Sequence, residues 1–176
     1  MSEYKNYICI DGKKAELTEE QLKALGIKPK KPSVFDRVKN TANTFYNYYL
    51  INTMGAVNEA VDSNQNGSGV DDLRYYAANY CTDKAIMEQR ALHETLNRLL
   101  WRYSMEHDGD KIDWSDDRYC PRKYYICFDN ANKKWDAYYT CNYNDLATYF
   151  VDEKTARAAI EEIVKPFMEA HPDFKW

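Results

Sequence analysis

The sequence predicts an α+β fold: an N-terminal β-hairpin plus short helix, then two related βββα units, antiparallel sheets each covered by a helix. Three observations lead there. "ANYCTDKAIMEQRA" (78–91) echoes "ATYFVDEKTARAAI" (147–160) without a gap, so that Ala78 meets Ala147, Tyr80 meets Tyr149 and Asp83 meets Asp152. Each copy follows aromatic, β-prone runs, "TFYNYYLIN" and "KYYICFD". Each leads into an apolar stripe near the 3.6-residue helical period.

The elements follow in order. "YICI-DG-KKAEL" is a hairpin signature around an Asp11-Gly12 turn. Thr18 is the natural N-cap of the helix in "TEEQLKALG", Gln21 completes a capping box, and Gly26 supplies the stop. "IKPKKPSV" (27–34) is extended and polar, read as a linker or a basic contact arm. In the first long unit, 44–52 and 55–61 read as strands, 62–72 as a loop and "LRYYAANYC" as a third strand. Thr82 or Asp83 caps a helix over 84–106 with the stripe Ala85, Leu92, Leu96, Leu99, Leu100 and Tyr103. In the second, 123–129 and 135–143 are strands and "LATYF" a short third one. Asp152 caps a helix with Ala156, Ala159, Ile160, Ile163, Val164, Phe167 and Met168 on one side, which Pro166 should kink or end near Val164 to Lys165.

The segment from Tyr48 to Tyr80 spans 32 positions and that from Tyr124 to Tyr149 spans 25. The difference is about the size of the loop at 62–72, where an insertion is tolerated. The implied organisation is 1–27 hairpin-helix, 28–34 linker, 35–107 first unit, 108–121 acidic connector and 122–176 second unit.

Bulk properties narrow the function. Net charge is −4 over 176 residues, which disfavours a globally cationic nucleic-acid binder. No apolar run approaches the roughly 18 residues of a transmembrane helix, and the N-terminus lacks a signal-peptide core, so a cytoplasmic protein without a membrane is expected. Five cysteines at no metal spacing read as reduced thiols. His93, His107 and His171 form no ligand motif, and no phosphate-loop or nucleophile motif occurs, so neither metal, cofactor nor enzymatic activity is expected.

Two features stand out as candidate contact surfaces. "EHDGDKIDWSDD" gathers Asp108, Asp110, Asp113, Asp116 and Asp117 against one Lys111, an acidic surface suited to a partner's basic groove, or a solvated connector anchored by Ile112 and Trp114. Sixteen tyrosines are the second. Tyr75 and Tyr76 behind Arg74, together with Lys28, Lys30 and Lys31, would form the nucleic-acid or ligand contact of an alternative reading.

The combination of "FDRV", "YNYYLIN", "ANYCTDKAIMEQRALHETLNRLLWRYSMEHDG", "YYICFD", "TYFVDEKTARAAIEEI" and "HPDF" resembles a broad group of small phage and prophage accessory proteins, over about residues 35–174. The resemblance lies in fold-defining residues and carries over no site residue. It implies a non-enzymatic phage-type protein in the bacterial host cell that inhibits a host defence protein, most specifically an anti-CRISPR acting on a Cas nuclease. The alternatives are a nucleic-acid-binding phage accessory protein and a protein that sequesters a small signalling nucleotide in a crevice between its units. An unpaired edge strand would also support a homodimer.

Overall fold

The computed structural model describes residues 6–10, 13–26, 33–37, 46–62, 69–115, 121–141, 144 and 147–175. It is an α+β protein with three small antiparallel sheets and five α-helices among those residues. The chain divides into two compact units, 1–87 and 88–176, each described below by itself.

In the first unit, β1 (Asn6–Ile10) and β2 (Lys13–Leu17) pair with Ile10 opposite Lys13, which leaves a two-residue connection. Asp11 and Gly12, the expected turn, lie outside the described residues. Helix α1 (Glu19–Ala24) opens with the expected capping box: Thr18 Oγ1 accepts from Gln21 N–H and Gln21 Oε1 from Thr18 N–H. Strands β3 (Tyr46–Ile51) and β4 (Val57–Asp62) form the second sheet, with Asn52 Oδ1 accepting from Met54 and Ala56 in the turn.

The third strand expected in this unit is replaced. Residues Val70–Tyr76 are a helix, α2, and only Cys81 reaches the sheet, as one antiparallel bridge to Tyr49. The helix wins over the β-propensity of Tyr75-Tyr76 for two reasons. Asp71 and Asp72 stand in its first turn, where the helix dipole favours them, and Asp72 Oδ2 accepts from Gly69 N–H. Both aspartates are also bound from outside the helix, as described below. Ala78, at φ 55°, closes the helix in the left-handed conformation.

Helix α3 (Lys84–Glu106) has the expected bounds. Asp83 Oδ1 caps it, accepting from Ala85 and Ile86. Its buried side differs from the expected stripe at the start: Ala85 is exposed and Met87 is buried instead.

In the second unit the sheet runs β6 (Lys134–Thr140), β5 (Lys123–Asp129), β7 (Tyr149–Phe150). β7 pairs with β5 through Tyr125–Tyr149 and Tyr124–Phe150. The first unit repeats this order, β4–β3–Cys81, with the third member reduced to its single bridge. Asp152 caps α4 (Glu153–Ala159) by accepting from Thr155 N–H. The helix is not ended by Pro166. It passes through a π turn at Ile160–Val164 into α5 (Lys165–Ala170), where the proline falls in the first turn and its missing N–H costs no helical hydrogen bond.

One core holds this unit together. Leu96, Leu100 and Tyr103 of α3 meet Phe150, Ala156, Ala159, Val164, Phe167 and Phe174, with Ile126 and Trp135 of the sheet packed against them. The later turns of α3 therefore bury their stripe here. The sheet of the first unit is instead covered by its own α2 and Tyr80. Cys81, Cys127 and Cys141 are thiols outside any disulfide. No described helix is long and apolar enough to cross a membrane.

Candidate functional site: a helix held by its aspartates

Arg37 is the hub of a polar cluster in the first unit. A short turn presents it: Ser33 N–H donates to Asp36 Oδ2 at 2.8 Å, and the carbonyl of Val34 accepts from both the N–H and the hydroxyl of Thr82. The guanidinium then grips Asp62 at the end of β4 in a two-point pair, Nε to Oδ2 at 2.8 Å and Nη2 to Oδ1 at 2.9 Å. Its third nitrogen, Nη1, pairs with Asp72 of α2. Asp62 and Asp72 are both buried. The hydrogen bond it donates to Asp62 is the main reason the Arg37 pKa is raised above its ordinary value, so the guanidinium is held charged.

A second group continues the cluster. Tyr48 is fully buried; its hydroxyl donates to Asp71 Oδ1 at 2.6 Å and accepts from Arg74 Nη1 at 2.7 Å. Burial first, and then the bond to Asp71, push the Tyr48 phenol upward, against the opposing pull of Arg74. Tyr80 stacks on Tyr48 with centroids 4.3 Å apart and donates its hydroxyl to Asp62 Oδ2 at 3.2 Å. Three buried carboxylates thus meet two guanidiniums and two phenols. Each of these carboxylates is engaged in a hydrogen bond or an ion pair.

The outer side of α2 is the consequence. The helix buries Asp71 and Asp72 and turns Val70, Leu73 and Tyr76 outward, at 60, 69 and 81% exposure. Its amphipathicity is inverted: charge points inward and the apolar strip faces out. A helix usually docks through its apolar stripe; this one docks through its two aspartates and Tyr75 and leaves Val70, Leu73 and Tyr76 open.

The residues singled out from the sequence are distributed as follows. Tyr75 is half-buried and meets Tyr80 edge-on at 5.7 Å, while Tyr76 belongs to the open strip. Asp108 adopts φ 65° and pairs with Lys111 at 2.7 Å across the short turn Gly109–Lys111. Gly109 is needed there, because a Cβ would strike Ser104. Asp110 is exposed beside them. Asp113 is exposed too; it accepts from the hydroxyl and the N–H of Ser115, which together hold its carboxyl below the usual range. Trp114 lies edge-on to Tyr149 at 4.9 Å and under the Lys123 ammonium at 4.8 Å. Asp116, Asp117, Lys28, Lys30 and Lys31 lie outside the described residues.

Sequence reasoning missed Arg37, Asp62, Asp71 and Asp72. The one local signal was the Asp71-Asp72 pair behind Gly69, a helix start that the surrounding glycine-bearing segment disguised as loop. Among the described residues no group of three or more His, Cys, Asp or Glu is arranged to hold a metal ion. No family model, curated protein or solved structure matches the chain.

Proposed function

We propose that this is a non-enzymatic phage-type binding protein that inhibits a bacterial defence protein in the host cytoplasm, with a Cas nuclease as its specific target. The observation that carries the binding role is the inverted helix α2, which commits two buried aspartates to holding Val70, Leu73 and Tyr76 in the solvent. Tyrosine is favoured in recognition surfaces, and an exposed apolar strip on a rigid helix binds at low entropic cost. The partner chemistry follows from charge. The chain carries −4, so a basic protein surface with an apolar pocket is the fitting occupant of the strip. Nucleases that hold nucleic acid present such basic grooves. The resemblance to phage accessory proteins supports the anti-defence role.

The test is a cleavage titration with a guide-loaded Cas nuclease. The expected result is loss of cleavage that saturates at a fixed molar ratio, as a binding inhibitor gives. Undiminished cleavage at a large excess across a panel of Cas nucleases overturns the target. Loss of activity far below one equivalent points to catalysis and overturns the non-enzymatic role.

A further inference from the structure

The second unit carries a groove of about 590 Å³ between the β5–β6 turn and the α4–π segment. Its wall is apolar, formed by Trp135, Ala158 and Ile160, and its rim is cationic, formed by Lys133, Lys134 and Arg157 with Lys165 beyond. The volume falls within the roughly 300–1,000 Å³ of small-molecule sites. Three independent features of the chain meet there.

The first is charge. Among the lining residues only Glu161 is acidic, and Lys165 claims it at 2.6 Å. Asp136 serves both Lys134 and Arg157, at 2.7 and 2.8 Å, and Glu153 also binds Arg157. Lys133 has no ion pair among the described residues. Lys134, Arg157 and Lys165 are thus held by carboxylates, and Lys133 is the one cation in excess among the described lining residues.

The second is backbone conformation. Lys133 adopts φ 52°, a region that non-glycine residues rarely enter. The turn before it is pinned by Asp129, which accepts from Ala131 and Asn132 N–H and from the Asn132 amide. Such outliers persist where the surroundings over-determine them, and they concentrate at ligand clamps.

The third is the π turn. Ile160 and Glu161 of this turn line the groove directly. Single π turns within α-helices recur at functional sites.

We infer that this groove binds a small organic phosphate with a planar apolar body, of the mononucleotide class. Lys133 would take the phosphate as a point charge, with the remaining Nη2 donors of Arg157 beside it, since Nε and Nη1 are held by Glu153 and Asp136. Trp135 supplies a flat apolar wall for the ring. This site lies in the second unit and is independent of the contact proposed for α2.

The test is two-dimensional NMR of the full chain titrated with 5′-AMP, with adenosine and inorganic phosphate as separate arms, followed by calorimetry of Lys133→Glu and Arg157→Gln. The expected result is shifts centred on Lys133, Trp135, Arg157 and Ile160 with 5′-AMP. Adenosine and phosphate are each expected at least tenfold weaker, and each variant loses tenfold or more. No shifts with 5′-AMP, or shifts centred elsewhere, overturn the site. Phosphate binding as tightly as 5′-AMP overturns the planar-body requirement. The wild-type titration needs no substitution, so misfolding of a variant leaves the proposal testable.

Discussion

The side chain of Asn79 completes the sheet beside Ile51. Its Oδ1 accepts from the Ile51 N–H and its Nδ2 donates to the Ile51 carbonyl, both at 2.8 Å. The bridge Tyr49–Cys81 sets the antiparallel register in which Asn79 is the next partner of Ile51. Where the backbone has turned away to close α2, an amide side chain takes its place in the ladder. The truncated third strand is therefore paired at two successive positions, one by backbone and one by side chain.

Asn79→Ala removes both bonds and leaves the buried edge of Ile51 unsatisfied. The expected cost is about 1–3 kcal/mol, with faster hydrogen exchange at the Ile51 amide. Unchanged exchange there would show that the amide contributes nothing to the ladder.

Arg37 is the second point of test. Replacing it with Met removes both guanidinium bonds to Asp62, which is fully buried, and the ion pair to Asp72. Removing one partner of a buried pair costs about 3–5 kcal/mol. Arg37→Lys recovers only part of this, since one ammonium cannot reproduce the two-point grip on Asp62 together with the contact to Asp72. Urea unfolding measures both. A loss under about 1 kcal/mol would put the cluster in the class of surface pairs.

Acid should act on the second unit through Asp136. The hydrogen bond from Lys134, then the Ala137 N–H and Arg157, hold its pKa down at about 2. A carboxylate depressed below its unfolded value of about 3.9 contributes stability above that pH and loses it as pH falls toward the folded value. Asp136→Asn is therefore expected to melt lower than wild type at pH 7, with the gap closing between about pH 4 and 2. A gap that stays constant over that window would contradict the assignment.

What could be read in advance divides along a physical line. Helix α3 and strand β5 were legible to the residue, because a cap at Asp83 and apolar alternation in "KYYICFD" are local signals. The capping box of Thr18 and Gln21 was legible for the same reason. Helix α2 was not. It is held by Arg37, 35 positions before Asp72 in the chain, and Val70, Leu73 and Tyr76 point to solvent, so the pattern that normally marks a helix is inverted. The continuation of the last helix past Pro166 was also hidden, because the π turn that shifts the proline into a first turn has no sequence signature.

The central claim is that the outward face of α2 is the partner contact, and Leu73→Asp tests it most directly. The side chain is mostly exposed and makes no part of the Arg37 cluster, so the melting temperature is expected to stay within about 1–2 °C of wild type. The affinity for the proposed nuclease target, measured by calorimetry, is expected to fall at least tenfold. Wild-type affinity in a correctly folded Leu73→Asp protein would contradict the account, and a dimer by light scattering that this change dissolves would assign the face to self-association instead.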